Sequence, residues 1–309
     1  MQAEEAIKRF ERELRQAWGC ADRTVAAYLG ELAGFEKWLT TQGRTLLKVD
    51  RDVFLTWREE ISQTRKPNGV SLAATALRSF YAILSDSGIL TPNPFPETLK
   101  IRVKRQEPAD VPTVQQFMQI REALERPVDH AGSTPVDIRR VVVELLAGSG
   151  MRIEAMLTLK PRHLRFGARP HILVEHDTMA CKGKTAGEIP ISPYVASLLK
   201  SHIEDHPRGF DDVLFDFSGS LVRKILHQVQ PEGLHLKPHS LRHFYCSMCY
   251  FKNFDGGKND ILWVRDAAGH GNITTTNNYL KMARRVCQDE QSWDAWANGA
   301  AVAQEAISA

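Results

Sequence analysis

The sequence predicts a mainly α-helical protein of two domains, the second of which also holds a small antiparallel β-sheet. Three observations predict this fold class. Apolar residues recur at steps of three and four along most of the 309 residues, as they do on one face of a helix. A proline-rich segment interrupts this pattern after the first helices. Short strand-like pieces, bounded by glycine and proline, occur between about residues 163 and 191.

The first domain, residues 1–106, is predicted to be a small bundle of four helices. An amphipathic opening helix is followed by a second, with Asp22 as its expected N-cap and Gly43 just beyond its end. A third helix starts near Asp50, and a fourth runs from Ser71 to Gly88. The apolar stripe of the second helix consists of Val25, Tyr28, Leu29, Leu32, Phe35 and Leu39.

A basic, extended connector is predicted at the end of this domain. Five prolines between residues 92 and 112 make a continuous helix unfavourable there. The same stretch carries four cations, Lys100, Arg102, Lys104 and Arg105. A solvated linker and a contact with a polyanion both explain such a charge run.

The second domain, residues 107–309, is predicted to be helical on either side of the small sheet. Thr113 and the pair Thr134-Pro135 are typical helix starts, and the second leads into the apolar run DIRRVVVELLAG. The pieces HILVE and GEIPI are the predicted strands of a hairpin. Helices resume at Pro193 and continue to an amphipathic C-terminal helix from about Ser292.

Composition excludes several classes of protein and leaves the function open. A chain with 43% hydrophobic and 25% charged residues is neither collagen-like nor wholly disordered, and a net charge of +3 does not by itself identify a nucleic-acid binder. Five scattered cysteines favour a reducing compartment. Because no signal-like segment and no long apolar run is present, we expect a soluble protein in the cytoplasm. All 11 histidines lie at or after His130.

Two motifs of the second domain carry candidate functional residues. Arg152 follows a Gly-x-Gly break in AGSGMRIEAMLTL, where an arginine among apolar residues needs a partner or a ligand. In PHSLRHFYCSMCY, His239, Arg242 and His243 share one helical face near the helix start, a suitable place for an anion. A zinc-hydrolase motif would need glutamate where Ser240 stands.

Two further segments complete the candidate set. In AAGHGNITTTNNYLK, Gly269 ends a helix, His270 lies in the turn, and Tyr279 lies on the next helix. Lys182 lies at the tip of the predicted hairpin, in ACKGKTAGEIPI. Each of the four signals has an ordinary structural explanation when taken alone. Their order along one chain is what makes them informative.

In that order the four motifs resemble the tyrosine recombinase (phage integrase) family, including its Xer-type members. SGMRIEAMLTL is similar to the first catalytic box, HSLRH to the second, and AGHGNITTTNNYL to the box with the nucleophile. The resemblance implies a SAM-like core-binding domain followed by a catalytic domain. Here Ala155 stands where the family usually has an acidic residue, and Glu154 comes one position earlier. The catalytic residues implied are Arg152, Lys182, His239, Arg242, His270 and the nucleophile Tyr279, with Lys184 competing for the role of Lys182.

The implied activity is site-specific DNA recombination, in which strands are cut and rejoined through a 3′-phosphotyrosyl intermediate and a Holliday junction. No metal or other cofactor is expected, because two arginines supply the charge that stabilises the reacting phosphate. The expected partners are double-stranded DNA, three further copies of the chain and an accessory DNA-bending or directionality protein. The resemblance implies that the C-terminal helix docks on a neighbouring copy, and packing on its own domain is the alternative. The DNA-bound protein is expected on the nucleoid. Besides the four linker cations, the predicted DNA contacts are Lys160, Arg162, Arg165, Lys184 and His243.

Three other functions fit parts of this pattern. A type IB topoisomerase would share the arginine, lysine, histidine and tyrosine chemistry but would act as a monomer on one duplex. A catalytically silent DNA-binding accessory protein would keep the fold without the reaction. A metal-dependent nuclease would lose cleavage when EDTA removes its metal.

Overall fold

The computed structural model describes residues 3–90, 93–95, 110–126, 134–175, 187–280 and 282–299, and of Tyr279 it describes the backbone alone. The chain divides into two compact units, Met1–Arg105 and Gln106–Ala309. No helix among the described residues combines the length and the apolar character needed to cross a membrane.

The first unit is a bundle of helices around an aromatic core. Phe10 meets Phe80 edge to face at a ring-centroid distance of 5.4 Å, and Phe35 meets Trp57 in the same way at 4.8 Å. Tyr81 is buried, and its hydroxyl donates to the carbonyl of Leu46 (2.8 Å), so its polar end is satisfied inside the core. The helices are α1 (Ala3–Gln16), α2 (Asp22–Thr41), α3 (Arg51–Thr64) and α4 (Pro67–Asp86).

The helix starts of the first unit differ from the sequence predictions at two places. Asp50 caps α3 as expected, its carboxylate accepting from Val53 N (2.9 Å). The N-cap of α2 is Ala21, so the prediction of Asp22 was wrong by one residue; the Asp22 carboxylate instead pairs with Arg15. Helix α4 begins before Ser71, at Pro67, because proline at the first helical position already has a helical φ and needs no hydrogen-bond partner for its nitrogen.

The second unit is mostly helical and contains one small sheet. Helices precede and follow the strands, as the sequence predicts. In chain order the elements are α5 (Val114–Glu125), α6 (Val136–Ser149), α7 (Ile153–Leu157), a 3-10 turn (Pro161–His163), β1 (Leu164–Arg165), β2 (His171–Val174), β3 (Gly187–Pro190), α8 (Pro193–Asp205), α9 (Gly219–Val229), α10 (Pro238–Phe251), α11 (Ile261–Ala268), α12 (Ile273–Leu280), α13 (Ala283–Val286) and α14 (Glu290–Asn298).

The sheet has three antiparallel strands in the order β1-β2-β3. Ile172 on the middle strand pairs with Leu164 on one side and with Ile189 on the other. These three side chains are buried, so one face of the sheet packs on the unit's core. The predicted fold class, mainly helical with a small antiparallel sheet, is confirmed.

Helix α10 runs through the centre of the second unit. All of its residues from Ser240 to Cys249 are buried, and it packs on α6, α11, α12 and α13. Phe244 stacks on Phe117 of α5 at a centroid distance of 4.7 Å. The pair Cys246 and Cys249 lies in this core, as its spacing predicts. Residues near the start of α10 therefore have fixed positions relative to four other helices.

The C-terminal helix α14 packs on its own unit. Arg121 forms a two-pronged ion pair with buried Glu144 (2.6 and 3.0 Å) and also donates to the carbonyls of Ala295 and Trp296 (both 2.9 Å). Trp296 is 1% exposed and stacks on Phe254. Residues 300–309, the rest of the segment expected to dock on a neighbouring copy, lie outside the described residues.

Replacing Phe117 with alanine tests the packing between α5 and α10. Phe117 is 0% exposed, so we expect Phe117→Ala to lower the free energy of unfolding by about 3–5 kcal/mol through lost burial and an unfilled cavity. The matched control is Phe210→Ala in the same unit, because Phe210 is 69% exposed; its effect should stay within about 0.5 kcal/mol. Urea unfolding followed by tryptophan fluorescence measures both values. Equal losses in the two variants would contradict the packing described here.

Candidate active site

The break between α6 and α7 positions Arg152. Gly150 ends α6 in the left-handed region (φ 60°), and a Cβ at this position would lie 2.3 Å from Cδ1 of Tyr245. Only glycine satisfies both the backbone conformation and the close approach. The chain then turns so that Arg152, with extended backbone, becomes the N-cap of α7 and contributes to the wall of a cavity.

Arg242 connects this break to a second one. Arg242 is 2% exposed, and its Nη1 and Nη2 donate to the carbonyls of Gly150 (2.5 Å) and Ala268 (2.6 Å). These acceptors lie at the C-terminal ends of α6 and α11, where a positive charge is favourable. Each acceptor lies two residues before a predicted site residue, Arg152 in one case and His270 in the other. One side chain therefore holds two segments of the candidate site together.

The Arg242 guanidinium retains donors for a ligand. It carries five N–H groups, of which the two bonds to carbonyls use two. Its Nε is buried and makes no hydrogen bond with any described residue. Buried donors in proteins are nearly always satisfied, so this guanidinium is suited to an anion that enters the same cavity.

His239 lies one residue after Pro238, at the start of α10, and also contributes to the wall of the cavity. Partial burial, followed by the positive charges of Arg242 and Arg152, lowers the pKa of His239 from its ordinary value. The imidazole is therefore neutral at pH 7, and a neutral imidazole can accept a proton.

His243 lies one helical turn after His239, with the ring centroids 4.8 Å apart. The residue is 7% exposed. Burial, the neighbouring His239 and the charge of Arg242 lower the pKa of His243 to about 3. His243, for which the sequence analysis predicts a DNA contact, is thus a neutral, buried side chain whose ring meets that of His239 edge to face.

His270 follows the left-handed Gly269 that ends α11, and it is 7% exposed. Its Nδ1 is 3.1 Å from the hydroxyl oxygen of Thr276, which is fully buried on α12. Thr276 and Tyr279 are three residues apart on this helix. The hydroxyl of Thr276 fixes the His270 ring relative to the helix that carries Tyr279. Sequence reasoning missed Thr276 because its pattern, ITTTNNYL, does not distinguish the three threonines.

The cavity shared by Arg152, His239 and Arg242 has a volume of about 610 Å³. Two further cations, Arg223 of α9 and Lys237, contribute to its wall, and Glu154 is an acidic member. Sequence reasoning missed Arg223 and Lys237, since neither belongs to a recognisable motif. The clustering of four cations favours a polyanionic ligand. The remaining polar residues of the wall are His227, Gln230 and His235.

A second cavity, of about 500 Å³, lies between the sheet and α11, and His270 contributes to its wall. Val174 and Gly187 also line it, and these two residues pair at the ends of β2 and β3. The connection between them contains Lys182 and Lys184. The chain therefore enters and leaves this connection at the wall of the cavity to which His270 contributes.

Several predicted residues lie outside the part of the chain that the structure describes. The side chain of Tyr279 is one of them, although Tyr279 is the seventh residue of α12 and its backbone is described. The others are the linker and hairpin cations Lys100, Arg102, Lys104, Arg105, Lys182 and Lys184.

None of the three cations predicted after the first box contributes to the wall of the larger cavity. Arg162 pairs with Glu175 (2.8 Å) and with Asp211 (3.1 Å). Lys160 is half-buried before the 3-10 turn, and Arg165 donates to the carbonyls of Arg162 and Leu164. Of these three, Arg162 has its charge balanced by carboxylates within the protein.

Comparison with known proteins agrees with this geometry. Residues 111–285 match the phage integrase family, and residues 7–88 match the phage integrase N-terminal SAM-like domain. The chain belongs to the phage integrase family. The larger match spans Arg152, His239, Arg242, His270 and Tyr279. The resemblance to tyrosine recombinases and the SAM-like first domain are both confirmed.

A relative and two solved structures extend this result. The tyrosine recombinase XerC of Roseiflexus sp. (strain RS-1) is 28% identical over 293 residues, covering 88% of each chain. The post-cleavage complex of XerH site-specific recombinase with a palindromic difH substrate has a TM-score of 0.66 at 15% identity, covering 92% of this chain and 82% of that one. A lambda integrase tetramer bound to a Holliday junction has a TM-score of 0.68 at 15% identity, covering 94% and 80%. At such identities the structural likeness concerns the fold.

The low pKa of His243 predicts how the stability of the second unit depends on pH. In the unfolded chain this histidine takes up a proton near pH 6.5, whereas in the folded protein it stays neutral down to about pH 3. Protons therefore bind preferentially to the unfolded chain between these values, and the free energy of unfolding falls with decreasing pH. We expect a loss of about 2 kcal/mol between pH 7 and pH 5 from this residue.

Urea unfolding at several pH values measures this dependence. His243→Gln should flatten it, whereas the control His235→Gln, which replaces an exposed histidine, should leave the slope as in the wild type. If wild type and His243→Gln had the same pH slope, His243 would bind protons equally in the folded and unfolded protein, which would contradict the prediction.

Proposed function

We propose that this chain is a site-specific DNA recombinase in which Tyr279 attacks a DNA phosphodiester and forms a 3′-phosphotyrosyl bond. The observation that carries the proposal is the position of Arg242, which bridges the segments of Arg152 and His270, contributes to the wall of the cavity and retains donors that no described residue uses. Arg152 and Arg242 would bind the nonbridging oxygens, where negative charge develops during the transfer. Both guanidiniums keep their charge at any physiological pH.

The two histidines would act next to these oxygens. Neutral His239 would accept the proton of the attacking tyrosine, a role that its lowered pKa supports. A phenol needs such help, because its ordinary pKa is about 10. His270, oriented by Thr276, would donate to a phosphate oxygen.

The proposed reaction conserves the energy of the phosphodiester bond and needs no external energy source. The Tyr279 oxygen forms a bond to phosphorus while the bond to the 5′-oxygen breaks, and Lys182 would supply the proton that this oxygen needs as it leaves. The ester energy stays in the phosphotyrosyl bond, so a 5′-hydroxyl from another strand can attack it and restore a phosphodiester. Val174 and Gly187, the described residues nearest in sequence to Lys182, line the cavity to which His270 contributes, and this supports the role of Lys182.

The proposed substrate is a duplex held by both units, with cations of the larger cavity and of the linker contacting phosphates. The SAM-like domain would be the core-binding domain and residues 107–309 the catalytic domain. By analogy with the lambda integrase tetramer, four copies would exchange strands through a Holliday junction. A DNA substrate would place the protein in the cytoplasm, on the nucleoid, where an accessory DNA-bending or directionality protein could assist it.

Replacing Tyr279 with phenylalanine removes the proposed nucleophile and leaves the rest of the helix unchanged. On DNA carrying its recombination site and a nick that lets the cleaved end diffuse away, the wild type should become covalently attached to the 3′-phosphate. Tyr279→Phe should bind the same DNA with similar affinity and give no covalent product. Denaturing gel electrophoresis of labelled DNA measures attachment, and a mobility-shift assay measures binding.

Tyr250→Phe is the matched control, because Tyr250 lies on the same unit outside the candidate site and should leave attachment intact. A wild type that binds but never attaches would instead be an accessory protein. A wild type that relaxes a two-site plasmid without resolving it into two circles would instead be a topoisomerase.

Replacing Lys182 with alanine tests the proposed general acid. Cleavage of ordinary DNA should slow by about 10²-fold or more, as is usual when proton transfer to a leaving group is lost. DNA with sulfur in place of the bridging 5′-oxygen should restore the rate, because a thiolate leaves without a proton. Single-turnover rates on the two substrates give this ratio. Lys184→Ala is the matched variant: rescue seen there, and not in Lys182→Ala, would assign the role to Lys184.

A further inference from the structure

A cluster of potential metal ligands lies in the second unit, away from the candidate active site. Asp137 belongs to the first turn of α6, His202 to the last turn of α8, and His206 follows α8 directly. His206 Nε2 is 3.0 Å from Oδ2 of Asp137. One ligand atom from each of the three residues lies within 4.8 Å of the other two. The described residues contain no other group of three such ligands.

The helix keeps the two histidines on one face. The backbone N–H of His206 donates to the carbonyl of His202 (2.9 Å), so the four-residue helical step continues through the C-cap. The two imidazole rings are consequently neighbours, with centroids 4.8 Å apart. A histidine pair at this spacing is the arrangement by which helices bind zinc, provided that a third ligand is near. Asp137 lies where that ligand is needed.

His202 supplies a second, independent indication. The residue is 6% exposed, and its Nδ1 is buried without a hydrogen bond to any described residue. An ion pair between His206 and Asp137 accounts for those two residues but does not involve His202. The backbone carbonyl of Leu214 interacts with the His202 imidazole, which engages one of the two ring nitrogens and leaves the other for a ligand. A metal ion would use the histidine that the ion pair leaves out.

We infer that Asp137, His202 and His206 bind a divalent transition-metal ion, with zinc as the best match. Imidazole nitrogen and carboxylate oxygen are zinc ligands at about 2.0–2.2 Å, which places tetrahedral ligand atoms about 3.3 Å apart. The His206 to Asp137 distance already meets this requirement. The other separations, all within 4.8 Å, close through rotation of side chains, and water completes the coordination.

The proposed metal is structural, since it lies far from the reacting groups. Helix α6 has 14 residues and is therefore about 21 Å long, with Asp137 near its start and Arg152 beyond its end. The ion would join the N-terminal end of α6 to the C-terminal end of α8. This inference does not depend on the proposed recombinase activity.

The test measures zinc itself bound to the full chain. Protein stripped with a chelator is equilibrated with a small excess of Zn²⁺ and passed over a desalting column, and bound zinc is counted by mass spectrometry. We expect about one ion per chain for the wild type and at least tenfold less for His206→Gln and Asp137→Asn. Both side chains are partly exposed, so these variants should fold. Circular dichroism verifies this.

The matched control is His171→Gln. His171 also lies near a carboxylate, that of Glu188 (3.6 Å), but is not part of a three-ligand group among the described residues. This variant should retain the wild-type zinc. Saturating Zn²⁺ should raise the melting temperature of wild type and control by about 5 °C and leave His206→Gln unchanged.

Two results would overturn the inference: a wild type that retains no zinc, or a His206→Gln variant that retains as much as the wild type. Covalent attachment to DNA is measured separately from zinc binding. The wild type in EDTA should lose the thermal shift and keep covalent attachment to DNA. Loss of attachment in EDTA would count against the proposed recombinase chemistry, whereas absence of zinc binding would count against this site alone.

Discussion

The guanidinium of Arg242 is the interaction on which the candidate site depends. It neutralises the C-terminal carbonyl ends of α6 and α11 by bonding to Gly150 and Ala268, and the chain segments that follow these ends carry Arg152 and His270. Because Arg242 lies on the central, buried helix α10, the same bonds fix both segments relative to His239. Breaking them would leave two buried carbonyls unsatisfied as well as removing a charge from the cavity.

Burial and positive charge together set the protonation of the histidines near this cation. His239 and His243 lie one turn apart beside Arg242, and both have lowered pKa values because protein atoms and neighbouring charges oppose protonation. One cavity can therefore contain both charged arginines, which can bind a phosphate, and a neutral imidazole, which can accept a proton. His270 is fixed differently, through the hydroxyl of a buried threonine on the helix that carries Tyr279.

Most of the fold could be predicted from the helical spacing of apolar residues and from the residues that begin and end helices. The apolar steps and caps placed the first-unit helices, with errors at Asp22 and Ser71 that reflect how weakly local signals define a helix start. The four motifs identified the family and brought Arg152, Arg242, His239 and His270 into consideration. Other contributors had no signal, since Arg223 and Thr276 matter only through neighbours that are distant in sequence.

The sequence by itself determined the fold class, the family and the residue types of the reaction, because helical periodicity and motif spacing are local properties of a chain. Tertiary structure decided which of those residues share a cavity, which histidines are neutral and which cations are already paired, as Arg162 is with Glu175 and Asp211. It also brought Asp137 beside two histidines of another helix. Burial and charge proximity depend on packing between distant segments, and no local pattern encodes them.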